Sequence, residues 1–92
     1  MKVVYDPAFY DKLKKIDVRI RKRVKERILI FSETPIEPQL NNHPLKREYE
    51  GYRSIDITGD WRALYKEVQI REETTAYFVI LGKHKDLYNW GK

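Results

Sequence analysis

Hydrophobic positions change their spacing partway along the chain. Before Ser32 they recur every three or four residues, so that Ile16, Ile20, Val24, Ile28 and Phe31 fall on one stripe, as a repeat of 3.6 residues per turn requires of a helix with one buried face. After Pro44 they crowd into short aromatic and β-branched segments, residues 45–49, 52–57, 61–68 and 74–81, the composition of strands. Turn signals separate these segments at Glu50-Gly51, Thr58-Gly59-Asp60 and Arg71-Glu72-Glu73. Such connections are too short to hold a crossover helix, so the strands are expected to form an antiparallel meander. Residues 76–81 (AYFVIL) are almost uniformly apolar, as a central strand covered on both faces would be.

Residues 2–5 read as a strand of their own. Asp6-Pro7 then opens a helix over residues 7–16, since Asp caps and Pro suits the first helical position. Asp17 is the expected cap of a second helix that reaches Phe31. Arg27 falls near the centre of the apolar stripe, and its stem is expected along the core edge with its head in solvent. Residues 32–43 (SETPIEPQLNNH) lack periodicity and read as a loop. The pattern predicts an α+β fold: an N-terminal strand, then two helices packed on one face of a mainly antiparallel twisted sheet with a four-stranded C-terminal meander. A chain of 92 residues with 41% apolar content is expected to make a single domain over 1–92.

Charge adds direction to this picture. Residues 1–46 carry eleven Lys and Arg against six acids, while residues 47–92 carry eight of each, so the whole formal excess of +5 lies in the first half. Arg19, Arg21, Lys22, Arg23, Lys25 and Arg27 face only Glu26. That block reads as a footprint for phosphate-rich partners, with a solvated helix face as the plain alternative. The absence of cysteine removes disulfides, thiolate metal sites and cysteine nucleophiles together, and with two histidines a protein-built transition-metal site is not expected, nor is a cofactor. No run approaches the roughly 18 apolar residues of a membrane span, and the first residues do not resemble a signal peptide, so a cytoplasmic protein with no membrane partner is expected.

No phosphate-cradling glycine loop, nucleophile elbow or paired-carboxylate spacing is present. The chemistry-bearing residues are dispersed near loops and strand ends: His43, Lys46, Arg47, Arg53, Asp56, Asp60, Arg62, Lys83, His84, Lys85 and Tyr88. Taken singly, His84 is a surface histidine, Asp60 a turn residue, and Tyr88 and Trp90 aromatic caps over the core edge.

Four stretches taken together change that reading. His43-Pro44-Leu45-Lys46 leads to Gly51-Tyr52-Arg53. Asp60-Trp61-Arg62-Ala63-Leu64-Tyr65-Lys66 follows, and the chain closes on Leu81-Gly82-Lys83-His84-Lys85-Asp86-Leu87-Tyr88. In this order they resemble toxins of the RelE/ParE superfamily, and most of all the YafQ-like branch of mRNA interferases. The resemblance covers essentially the whole chain and implies a RelE-like fold. It also implies an endoribonuclease that cuts mRNA in the ribosomal A site, together with a cognate antitoxin. Carried over by position, His84, Asp60 and His43 match the catalytic polar residues of that branch and Tyr88 its active-site aromatic. Asp56 stands where the branch commonly has another histidine.

These residue types suit the implied reaction. RNA supplies its own nucleophile in the 2′-hydroxyl, so a metal-free nuclease needs a base, an acid and cations around the phosphorane-like transition state. Histidine suits the first two roles and Lys and Arg the third, while an aromatic ring stacks on a splayed base. Lys46, Arg47, Arg53, Arg62, Lys83 and Lys85, with Arg21 and Lys25 on the second helix, are the expected RNA-binding cations. Two alternatives remain at this point: a ParE-like inhibitor of DNA gyrase, and a non-catalytic basic RNA-binding module.

Overall fold

The structure, a computed structural model, describes residues 1–88, the side chain of Tyr88 excepted. Trp90, expected as a cap over the core edge, lies outside the described residues. The chain opens with β1 (Lys2–Tyr5), α1 (Pro7–Lys15) and α2 (Val18–Glu33). Both helices start where their caps predict. The Asp6 carboxylate accepts the Ala8 amide at 2.9 Å, Pro7 takes the first helical position, and Asp17 accepts the Arg19 amide at 2.7 Å. Val24, Ile28 and Phe31 are buried along α2, with Ile16 and Ile20 packed partly buried beside them.

Between α2 and the sheet a short turn, Pro38–Leu40, drops Leu40 into the core. Arg27 holds it there. Its Nη1 donates to the Gln39 backbone and side-chain oxygens, both at 3.2 Å, so the head expected in solvent instead ties this loop to α2.

Four more strands follow: β2 (His43–Pro44), β3 (Arg53–Asp56), β4 (Trp61–Ile70) and β5 (Glu73–Lys83). Among the described residues they join β1 in one sheet of order β1-β5-β4-β3-β2. The meander is antiparallel as expected, and β1 adds a parallel pairing to β5, with Tyr5 beside Phe78. The register shifts between Leu64, opposite Ile80, and Tyr65, opposite Phe78, leaving Val79 as an extra residue in β5. This bulge lets Phe78 and Leu81 both join the helix-side core, while Ile80 packs on the other face with Tyr49, Leu64 and Leu87. The nearly unbroken apolar run of β5 therefore serves two cores. On the helix side Phe9, Phe31 and Tyr65 surround Phe78, with ring centroids 5.0 to 5.7 Å from it.

Two expectations are corrected. Residues 45–49 are not a strand: pairing is confined to His43 and Pro44, and Arg47–Tyr49 is a 3₁₀ turn in which Arg47 has φ 58°. Leu45 and Tyr49 are apolar because they pack in the second cluster, and a left-handed residue between them breaks extended pairing. A third helix, α3 (His84–Tyr88), follows β5 where only two helices are expected. No helix among the described residues is long and apolar enough to cross a membrane.

Candidate active site

The last strand and the β3–β4 connection end at the same edge of the sheet, because Trp61 at the start of β4 lies opposite Lys83 at the end of β5. Residues 58–61 make a tight turn whose amides point inward: the Thr58 hydroxyl accepts from the Asp60 and Trp61 amides at 3.1 and 3.0 Å. The Asp60 carbonyl points the other way and accepts the His84 amide at 2.6 Å. The first residue of α3 is thereby fixed to the turn. Between them lies a polar hollow of about 230 Å³, lined by Gly59, Asp60, Lys83, His84 and Lys85. Asp60 and the three basic side chains are all exposed.

α3 is held by its opposite side. Leu87 is buried against Gly82, where a Cβ would stand 3.3 Å from a Leu87 methyl, and the Tyr49 hydroxyl donates to the Leu87 carbonyl at 3.2 Å. A larger, mainly apolar hollow of about 320 Å³ adjoins this helix, lined by Trp61, Tyr49, Leu81 and Leu87 among others, and Lys83 borders both hollows. The larger one is also bordered by Lys12 and Asp86, but only the smaller one brings Asp60 and His84 together.

His43 is placed differently. It stands on β2, at the far edge of the sheet from β1, and three strand intervals separate β2 from β5, roughly 14 Å at the usual strand spacing. It is therefore not in the hollow with His84. Its Nδ1 lies 2.7 Å from the Asn41 carbonyl, which can only accept, so Nδ1 carries the proton and Nε2 keeps its lone pair in the neutral ring. The Asn42 side chain beside it donates to the Pro35 carbonyl and the Tyr65 hydroxyl and accepts from Arg53 Nε at 2.9 Å, locking this loop onto the sheet.

The expected RNA-binding cations divide into two groups. Lys83 and Lys85 line the hollow, and Lys46, Arg47 and Lys25 are exposed. Arg53, by contrast, is tied to Asn42, and Arg21 donates to the Leu13, Lys14 and Ile16 carbonyls that end α1. Arg62 donates to backbone carbonyls of the 58–61 turn and lies 3.0 Å from Asp56. These three guanidinium groups brace the fold. Tyr88 belongs to α3, but its side chain lies outside the described residues. Of the supports, Asn42 carries no signal of its own in the sequence, while Thr58 is legible there only as a turn residue, Tyr49 only as an apolar one and Leu87 only as part of the closing motif. Among the described residues no group of three or more His, Asp and Glu side chains is placed to hold a metal ion.

A family model described as the bacterial toxin of type II toxin–antitoxin system, YafQ, matches residues 1–89. Solved structures share the fold. YafQ from E. coli strain BL21(DE3) superposes with a TM-score of 0.74 at 21% identity, covering 95% of this chain and 97% of its own. The YoeB/ParE toxin from Agrobacterium tumefaciens gives 0.73 at 23% identity, covering 91% and 99%. A chain of the toxin–antitoxin complex RelBE2 from Mycobacterium tuberculosis gives 0.70 at 26% identity, covering 90% and 96%. No curated protein sequence matches the chain.

Proposed function

The chain belongs to the YafQ family of bacterial type II toxin–antitoxin toxins, and from that premise we propose that it is a metal-independent endoribonuclease that cleaves mRNA on the ribosome. The observation that carries this reading is the hollow that Asp60 and His84, brought together from separate segments, line together with Lys83 and Lys85.

The chemistry follows from the residues present. The 2′-oxygen of the substrate attacks the adjacent phosphorus and the bond to the 5′-oxygen breaks. A carboxylate beside the hollow, Asp60, accepts the 2′-hydroxyl proton, and the imidazolium form of His84 delivers a proton to the departing 5′-oxygen. Lys83 and Lys85 offset the charge that builds on the phosphoryl oxygens. The products are a 2′,3′-cyclic phosphate and a 5′-hydroxyl. Tyr88, on the same short helix, is the proposed stacking partner for a base. His43 assists from the far strand, where its Nε2 lone pair accepts from RNA that extends beyond the cleaved bond.

A cognate antitoxin is the proposed partner, a reading supported by the family and by the RelBE2 complex that shares the fold. The YafQ match does not favour the gyrase-inhibiting reading, and a hollow shared by Asp60 and His84 does not favour a module that only binds. The test is cleavage of a defined mRNA in a translation extract, with the chemical nature of the fragment ends identified. Fragments with 2′,3′-cyclic phosphate and 5′-hydroxyl ends are expected. Intact mRNA, or 5′-phosphate ends, would overturn the reading.

A further inference from the structure

We propose that Arg62 and Asp56 are a positioning pair, which braces the 58–61 turn from one side and so aims Asp60 at His84; the inference rests on the nuclease reading only for its effect on rate.

The turn has four backbone carbonyls. Arg62 Nη1 lies within hydrogen-bond distance of three of them, at 2.8 Å from Thr58, 3.2 Å from Gly59 and 3.0 Å from Trp61. The fourth, that of Asp60, accepts from the His84 amide. One guanidinium nitrogen thus gathers every carbonyl except the one that reaches α3. The Trp61 carbonyl also accepts from Ile57 at 2.9 Å, closing the turn at its base. Arg62 Nε stands 3.0 Å from Asp56 Oδ1, as an ion pair rather than an aligned hydrogen bond, and the two side chains are only 14% and 28% exposed.

Little of Arg62 is left for a phosphate. Its Nη1 is spent on the turn, its charge is met by Asp56, and most of its surface is covered. A lysine could not replace it, because one ammonium on a flexible stem lacks the fixed fork that reaches carbonyls and carboxylate together. The aspartate at position 56, where the resembling branch commonly has a histidine, supplies the counter-charge that keeps the fork in place.

The experiment is amide hydrogen exchange followed by NMR on the free, full-length protein, comparing wild type with Arg62→Gln and Asp56→Asn. In both variants the His84 and Trp61 amides should exchange on the order of tenfold faster relative to the Phe78 amide in the core, as expected when a local brace is removed. RNA affinity and its salt dependence should hold, while cleavage at saturating RNA falls. Exchange at His84 that stays constant, or that only follows Phe78, would overturn the proposal. So would a shallower salt slope in Arg62→Gln, the sign that this guanidinium had been neutralising a phosphate. Should Arg62→Gln fail to fold, Asp56→Asn decides on the same two amides. The exchange measurement needs no RNA, so an inactive wild type would defeat the nuclease reading and leave this inference to be judged separately.

Discussion

The amide of His84 donates to the carbonyl of Asp60 across 2.6 Å, joining the first residue of α3 to a turn that lies a whole hairpin earlier in the chain. Because the bond runs between backbone atoms, either side chain can be replaced without cutting it. The side chains that meet in the hollow can therefore be tested one at a time on an intact frame.

The frame itself depends on Leu87. It is 8% exposed, packs against Gly82, and is the buried anchor of α3. Leu87→Ala should lower unfolding free energy by about 2–3 kcal/mol, the low part of the range for buried leucines because the cluster around it is small. Urea denaturation measures this. Cleavage should fall by more than the unfolded fraction accounts for, since His84 rides on the loosened helix.

Much of the fold is legible in the sequence because its hydrophobic spacing is regular. The stripe from Ile16 to Phe31 and the caps Asp6 and Asp17 specify two helices almost to their ends. The strands from Arg53 onward are legible for the same reason. α3 is not, since five residues hold little more than one turn and Leu87 alone marks its buried side. Leu45 and Tyr49 mislead because apolar residues packed around a 3₁₀ turn look like strand residues when read in a line. The cations are hardest. Sequence places Arg21, Arg53 and Arg62 among exposed lysines, and only the fold shows their heads spent on carbonyls, an amide and a carboxylate. The separation of His43 from His84 is set by strand order, which residue types do not encode.

That division of the cations is measurable. Lys83→Ala with Lys85→Ala should weaken RNA binding and lower the slope of log affinity against log salt by about 0.7 for each phosphate on single-stranded RNA that is no longer neutralised. Arg21→Gln should leave that slope unchanged and lower stability, because the carbonyls at the end of α1 lose their donor. Fluorescence titrations at several salt concentrations, with thermal melts in parallel, separate the two effects.

Acid should loosen the fold through Asp6. The Tyr77 hydroxyl and the Ala8 amide both donate to its carboxylate and hold it below the ordinary value of 3.8. A depressed carboxylate stabilises the fold above its unfolded pKa, and that contribution is lost as pH falls through the folded value. Wild type should therefore lose Tm on acidification below about pH 4. Asp6→Asn keeps a good cap without a titrating charge, so its Tm should fall less over the same interval. The difference is partial, since Asp17 is depressed in the same direction by Arg19.

The most direct measurement is single-turnover cleavage of ribosome-bound mRNA by wild type and His84→Ala, with matched thermal melts. A positioned proton-transfer group is worth about 10²- to 10⁴-fold. A loss of that size is expected in His84→Ala, with an unchanged melting temperature and the same fragment ends in what cleavage remains. Near-wild-type cleavage by a folded His84→Ala would remove His84 from the chemistry and contradict the nuclease mechanism at its centre.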